Sequence, residues 1–415
     1  MRNVHFPMTA FENRESRRFP HRFLSWVVVG LMALGFTGCQ TTPPQPAVWS
    51  PRDPNLQAEA VTTELPTPQA NQEPLPSPTP MPLVELPELP PNINPLTGLP
   101  VEDLSRLERR PVMVKISNYP RAGRPHAGLS FADLVFEYYI GYGFNRFMAV
   151  FLGQDAEMAG PVRSGRLVDA QLAEMYQGIL FYGNADDSTD EEILAELGPR
   201  ALAEKDVPSP PKYRIQAEIP ETTLFVNTRE LSDYYTSLGK GSNDRRDLRG
   251  MIFSDEIHPV NEPAEFLAVQ FSRQARGEWR YDRETGLYRR WIETGANSDS
   301  PTIPMEPLVD RINNRPIAMA NVILVFATYT ELAPTKHNIA LFDQNAGKRA
   351  VFFRDGVRIE GTWRTVSNGR PIQFFNSWGL PMHLKPGPSW IVLVGETSTL
   401  TSPAPGQWEL RFDIP

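Results

Sequence analysis

The chain has almost no cysteine. Cys39 is the one thiol in 415 residues, which excludes an internal disulfide and any site built from paired thiols. Histidine is scarce as well. Beyond residue 38 only His126, His258, His337 and His383 remain. None is spaced i, i+4 from another, so no metal-binding pattern is present, and structural or surface roles are expected for them. Basic charge is in deficit, with 41 Lys and Arg against 49 Asp and Glu. Five arginines and two glutamates fall in the first 38 residues. Without them 36 basic and 47 acidic groups remain, a formal charge of −11. An acidic body argues against a general nucleic-acid binder and against adhesion to anionic lipid by charge alone. Long hydrophobic runs are absent too. The stretch Phe23 to Phe36 has fourteen residues, short of the roughly 20 that a helix needs to span a bilayer.

That short run belongs to a leader. Basic residues Arg14, Arg17, Arg18, His21 and Arg22 precede it, and Phe36-Thr37-Gly38-Cys39 ends it. The three parts make a secretory signal peptide over residues 1–38. The small residues before Cys39 resemble a bacterial lipobox, although Phe36 stands where Leu is usual. Acylation of Cys39 would use up the chain's one thiol and anchor the protein to the extracytoplasmic face of the membrane. An uncleaved anchor and an ordinary signal peptide are the alternatives.

Proline is abundant where cysteine is not. Of 42 prolines, fifteen lie between Pro43 and Pro91. Pro74, Pro76, Pro78, Pro80 and Pro82 alternate with other residues, which favours extended polyproline conformation. Residues 39–93 therefore read as a disordered tether, with a reach on the order of 170 Å if fully extended.

Two folded domains are expected beyond the tether, together making an α+β protein. The first, 94–248, reads as a mixed α/β domain with a largely antiparallel sheet. Its strands are Pro111–Ser117, Ala132–Ile140, Arg146–Leu152 and Ile179–Tyr182. Gly141-Tyr142-Gly143 suits a tight hairpin. Helices are expected over Leu167–Tyr176, from a capping box at Ser188–Glu191 through Leu197, and over Thr228–Tyr235. The second, 249–415, reads as mainly β. Asn321–Tyr329 is apolar throughout and suits a central strand. Asp355-Gly356 marks a hairpin between Lys348–Arg354 and Val357–Trp363, and Asn368-Gly369 marks another. Ser389–Val394 is expected to close a twisted meander, with partial barrel closure an option.

No catalytic set stands out. Ser164 lies in a Gly-rich turn between two arginines, but no Gly-x-Ser-x-Gly elbow surrounds it. The acidic run Asp186, Asp187, Asp190, Glu191, Glu192 lacks the spacing of a calcium loop and suits a helix start. The arginines are more informative. Arg124, Arg146, Arg163 and Arg166 fall at turns and strand ends, and guanidinium groups bind carboxylate and phosphate in a bidentate way. If a helix begins at Arg163, Arg163 and Arg166 share a face. The competing reading is internal salt bridging to Asp133, Glu137 and Asp169. Tyr138, Tyr139, Tyr142, Phe144 and Tyr182 surround this region and could line a groove for sugar or peptide, or pack in the core.

Several motifs recur in order: Asn94-Pro95-Leu96-Thr97-Gly98, Arg124-Pro125-His126-Ala127-Gly128-Leu129, Ala132-Asp133-Leu134-Val135-Phe136-Glu137 and Gly160-Pro161-Val162-Arg163-Ser164-Gly165-Arg166. With Gly361-Thr362-Trp363 and Leu384-Lys385-Pro386-Gly387 they resemble the YerB-type bacterial lipoproteins, whose body is domain of unknown function 3048. The resemblance runs from about Asn94 to Val394. It implies an architecture and a lipid-anchored location, and no established reaction. It also implies histidines near the positions of Gly183, Thr222 and Leu308 that this chain lacks, which speaks against a shared histidine- or metal-dependent chemistry. The expected protein is an extracytoplasmic lipoprotein without cofactor. Its body would bind an anionic envelope ligand, such as peptidoglycan, or a partner protein, through Arg124, Arg146, Arg163, Ser164 and Arg166. The alternative is a cell-wall-modifying hydrolase using Ser164, Asp186 or Glu137.

Overall fold

A computed structural model describes residues 86–295, 302–342, 347–365 and 369–415. The leader, Cys39 and nearly all of the tether lie outside them.

The described body is mostly β, built on one large mixed sheet. Strands β1 (Val112–Ser117), β2 (Leu134–Gly141), β3 (Phe144–Phe151), β4 (Ile179–Tyr182) and β5 (Ala201–Ala203) come from the first half of the chain. β5 pairs parallel to β4 and β4 parallel to β1, whereas β3 lies antiparallel between β1 and β2. The sheet then continues into the second half. β2 pairs in parallel with Ser389–Gly395, which pairs in parallel with Asn321–Ala333. Antiparallel strands Lys348–Arg354, Val357–Arg364 and Gln373–Asn376 complete it. Ser389–Gly395 therefore joins the two halves instead of closing a meander at an edge. The physical reason is its composition. Every residue of Ser-Trp-Ile-Val-Leu-Val-Gly is buried, and a run apolar on both faces belongs between parallel neighbours.

Two layers cover the sheet. Helices α1 (Leu167–Met175) and α2 (Asp187–Leu197) pack on one face, over Met113, Phe136, Met148, Ile323 and Ile391. A second sheet, continuous with the first through the pairing of Val357 with Pro263, covers the other face. Its strands Glu262–Ser272, Ala275–Asp282 and Leu287–Glu293 put Leu267, Val269, Trp279 and Tyr288 against Val114, Phe147, Val322 and Trp390. Helix α3 (Thr228–Ser237) adds Leu231 and Tyr235 to that core.

Most expected elements occur within a few residues of their sequence bounds, and the differences have local causes. Helix α2 begins one residue before the proposed capping box, because Asp186 accepts from Thr189 N at 3.1 Å and caps it. Asp355 and Gly356 both have positive φ, 52° and 74°, as a two-residue hairpin turn requires. Asn368, expected to start a second such turn, lies outside the described residues. Within Val357–Arg364 burial alternates from Arg358 to Trp363, with Ile359, Gly361 and Trp363 buried and Arg358, Glu360 and Thr362 partly exposed. Among the described residues no helix is long and apolar enough to cross a membrane.

Candidate functional site

The strands β1, β4 and β5 run parallel, so their carboxyl ends share one edge of the sheet, the usual position of a ligand crevice in such sheets. The segment Gly160–Arg166 crosses that edge. Gly160 has φ 150°, and a Cβ there would lie 2.9 Å from Leu224 O, so no side chain fits. Val162 N then donates to Leu224 O at 2.8 Å and Arg163 N to Lys115 O at 3.0 Å. Gly183 N donates back to Arg163 O at 2.9 Å, and Gly165 N to Asn184 O at 2.8 Å. The loop is thus stitched to the ends of both β1 and β4, and α1 starts directly after Arg166.

Beneath the loop lies a buried polar group. Lys115, Tyr138 and Asp169 are each fully buried. Lys115 Nζ donates to Asp169 Oδ1 at 2.9 Å, and the Tyr138 hydroxyl donates to the same oxygen and accepts from Lys115. Asp169 Oδ2 takes Arg166 N at 2.7 Å. Burial pushes the Lys115 ammonium down to about 7 although Asp169 holds it up, and the charges of Arg146 and Arg166 lower it further.

Above this group sit three arginines. Arg146 is buried, and its Nη1 donates to Ser164 O at 2.8 Å. Arg166 Nη1 donates to Gly165 O at 2.7 Å, whereas the Nε atoms of Arg163 and Arg166 have no partner among the described residues. Burial lowers the affinity of all three for their protons. Arg146 is also pushed down by Arg166 and Arg163, and Arg163 by Arg166. Guanidinium stays protonated regardless, so three positive charges stand together, balanced only from a distance by Asp169, Asp186 and Glu221. Among the described residues none of the three makes an ion pair, and Asp169 is engaged by Lys115.

The salt bridges envisaged for these arginines therefore go elsewhere. Asp133 accepts from Asn94 and from the Leu152 and Gly153 amides. Glu137 points to the opposite face of β2, where it holds Arg290, Trp390 and Asn145. Arg124 is apart from the cluster. Its guanidinium is buried against Glu293, with Nη2 2.8 Å from Oε1, and it also donates to Asn118 O at 3.0 Å. Arg163 and Arg166 do not share a helix face, because α1 begins only at Leu167 and Arg163 lies in the extended loop.

The loop opens onto a cleft of about 350 Å³, lined by Val162, Arg163, Ser164, Gly183, Asn184, Glu204, Arg214, Pro220, Glu221 and Leu224. Ser164 Oγ donates to Asn184 Oδ1 at 2.7 Å. An amide carbonyl is no base, so this contact does not activate the hydroxyl. Ser164, Asp186 and Glu137 do not converge, since Asp186 caps α2 and Glu137 faces the second sheet. The aromatic residues do not line a common groove either. Tyr138 and Tyr182 are buried and bonded to Asp169 and Asp190, and Phe144 stacks on Tyr119 at 4.1 Å. Tyr139 packs against Phe412, and Tyr142 is 70% exposed. A cleft of similar size lies where the chain enters the body, lined by three arginines: Arg249 pairs with Glu88 and Asp247, Arg245 with Glu108, and Arg246 donates to Ser242 O and Oγ.

Sequence reasoning missed Lys115 at this site. The signal was a lone charge inside Pro111–Ser117, an otherwise apolar strand.

Comparison with known proteins places this architecture. Residues 96–240 match the N-terminal domain of a protein family of unknown function, DUF3048, and residues 267–391 match its C-terminal domain. The chain belongs to this YerB-like DUF3048 family. YerB of Bacillus subtilis (strain 168), named as a candidate lipoprotein, is 28% identical over 305 residues, 72% of this chain and 85% of that protein. The crystal structure of the Bacillus subtilis YerB protein superposes with a TM-score of 0.60 at 26% identity, covering 73% of this chain and 96% of that one. The N-terminal DUF3048 segment carries the whole cationic cluster and the cleft. The C-terminal segment supplies Ser389 and Trp390, which pair with β2 across the junction of the two halves.

Proposed function

We propose that this DUF3048 protein is a lipoprotein held at the extracytoplasmic face through Cys39, and that its body is a non-catalytic binding module for an anionic envelope ligand. The binding site is the cleft at the carboxyl ends of β1, β4 and β5, with Arg163 on its wall and Ser164 as a hydroxyl contact, while Arg146 and Arg166, held to the carbonyls of the same loop, add positive charge from outside its lining. Arg124 is left out, because it does not line the cleft and is bonded to Glu293, which also holds Arg121. The observation that carries this reading is a cluster of arginines without an ion pair among the described residues. Arg146, Arg163 and Arg166 have no ion pair with a described residue, the buried Asp169 being bonded to Lys115, and a phosphate or carboxylate entering the cleft would give Arg163 a counter-charge with bidentate hydrogen bonds.

Titration of the full chain with inorganic phosphate tests it. Arg163→Ala with Arg166→Ala is expected to weaken phosphate binding at least about tenfold, the loss of one charge-assisted contact. The melting temperature should stay within a few degrees, since neither side chain makes an ion pair with a described residue. A collapse of the fold instead would make the arginines structural.

The anchor has its own test. Intact-mass measurement of the membrane-fraction protein is expected to show a chain beginning at an acylated Cys39. Cys39→Ser should move the body out of the membrane fraction. An unmodified Met1 and no acyl groups would contradict the anchor.

A protein partner is the second reading, and an apolar patch favours it. Ile257, Val260, Trp378 and Leu380 are all exposed, with Trp378 packed on His258 at 4.5 Å.

A further inference from the structure

The cleft carries charge of both signs, and the two signs are not equivalent. Four charged side chains line it: Arg163, Glu204, Arg214 and Glu221. Arg214 and Glu204 satisfy each other, with Arg214 Nη2 2.7 and 2.8 Å from the two Glu204 oxygens. Arg214 Nη1 also donates to Thr223 Oγ1 at 2.7 Å, so this pair is locked into the wall. Arg163 and Glu221 are left. Neither makes an ion pair with a described residue, yet Glu221 is the largest favourable charge acting on Arg163. They therefore face the same space while standing too far apart to bond. Glu221 is exposed at the start of its own turn, Pro220–Thr222, and Arg163 is fixed by the backbone stitching of its loop.

An anion alone would satisfy Arg163 and be repelled by Glu221. A ligand with an ammonium group beside its anionic group would satisfy both. We infer that the cleft takes a zwitterionic group, with the phosphate or carboxylate on Arg163 and the ammonium on Glu221. This inference rests on the anion-binding reading above and narrows it to one chemical class. Amino-acid ends of peptides and phosphoethanolamine-type groups share that chemistry.

The test compares two probes that differ only by the ammonium, phosphoethanolamine and ethyl phosphate, by calorimetry on the full chain. Phosphoethanolamine is expected to bind about fivefold tighter than ethyl phosphate, the worth of one part-exposed ion pair. Glu221→Gln should bring the two probes to parity without weakening ethyl phosphate, and Arg163→Ala should weaken both. A free α-amino acid set against the same molecule without its amine then separates carboxylate from phosphate ligands. Equal binding of the two phosphate probes to the unaltered protein overturns the zwitterion inference and leaves the anion site standing. A preference that survives Glu221→Gln overturns the assignment to Glu221. If neither probe binds, the anion site itself is wrong.

Discussion

Replacing Glu137 by alanine is expected to cost the folded body about 3–5 kcal/mol, the penalty for leaving a buried charge without its partner. Glu137 and Arg290 are both almost wholly inaccessible, at 0% and 1% exposure. Arg290 Nη2 reaches the Glu137 carboxylate at 2.9 and 3.0 Å, and Trp390 Nε1 donates to the same group at 2.7 Å. The guanidinium lies against the rings of both Trp279 and Trp390, 4.8 and 5.0 Å from their centroids. Nothing described satisfies its Nε or Nη1, so Glu137 is its one described ion-pair partner, with Glu278 acting from farther off. Gly277 leaves the room, since a Cβ there would come 2.1 Å from Arg290 Nη2. The loss is a large share of the ~5–15 kcal/mol by which domains are stable. Urea melts of Glu137→Ala should show it. Pairing Glu137→Leu with Arg290→Met should recover much of the stability, because removing both charges avoids the orphaned one. A Glu137→Ala cost under about 1 kcal/mol would mean that water reaches Arg290.

Acidification is expected to weaken the fold through His126. Its ring is 1% exposed and packs edge-on against Phe147 at 5.3 Å. No side chain bonds to either ring nitrogen, and the Ser117 backbone is the one neighbour that favours its proton. Burial pushes its pKa from 6.5 down to about 3, and the charges of Arg124, Arg311 and Arg290 push the same way. The folded value lies below the unfolded one, so between pH 6.5 and 3 the unfolded chain takes up a proton that the folded chain refuses. Stability from this group is therefore complete above pH 6.5 and falls with pH at about 1.4 kcal/mol per unit. Melts at pH 7 and pH 5 should differ by about 2 kcal/mol more in the unaltered protein than in His126→Leu. Equal pH slopes in the two proteins would show that the ring is solvated or bonded.

The first of these predictions concerns a residue whose type was visible in the sequence but whose partners were not. Lys115 and Glu137 are lone charges in strands that read as apolar, and such a residue demands a counterpart because both faces of the sheet are covered. The counterparts are distant in sequence. Asp169 is 54 residues from Lys115, and Arg290 is 153 from Glu137. Periodicity specifies which face a side chain takes, and it specified the hairpin at Asp355-Gly356 and the central strand from Asn321. It does not specify sheet order. Only the insertion of Ser389–Gly395 beside β2 brings Trp390 to Glu137. Arg124 looked like the other arginines for the same reason, since Glu293 reaches it from the second sheet, 169 residues away. The cluster at Gly160–Arg166 was more legible. Its glycines and proline fix the loop locally, and the strand ends that the loop crosses lie close in the chain.

The central claim is that Arg163 and Arg166 hold charge in wait for an anion, and arginine side-chain NMR during phosphate addition reads it most directly. The Nε–H resonances of Arg163 and Arg166 are expected to move together and saturate, while that of Arg124, bound to Glu293, stays in place. Unmoved Arg163 and Arg166 signals, or an equal movement of Arg124, would contradict the account.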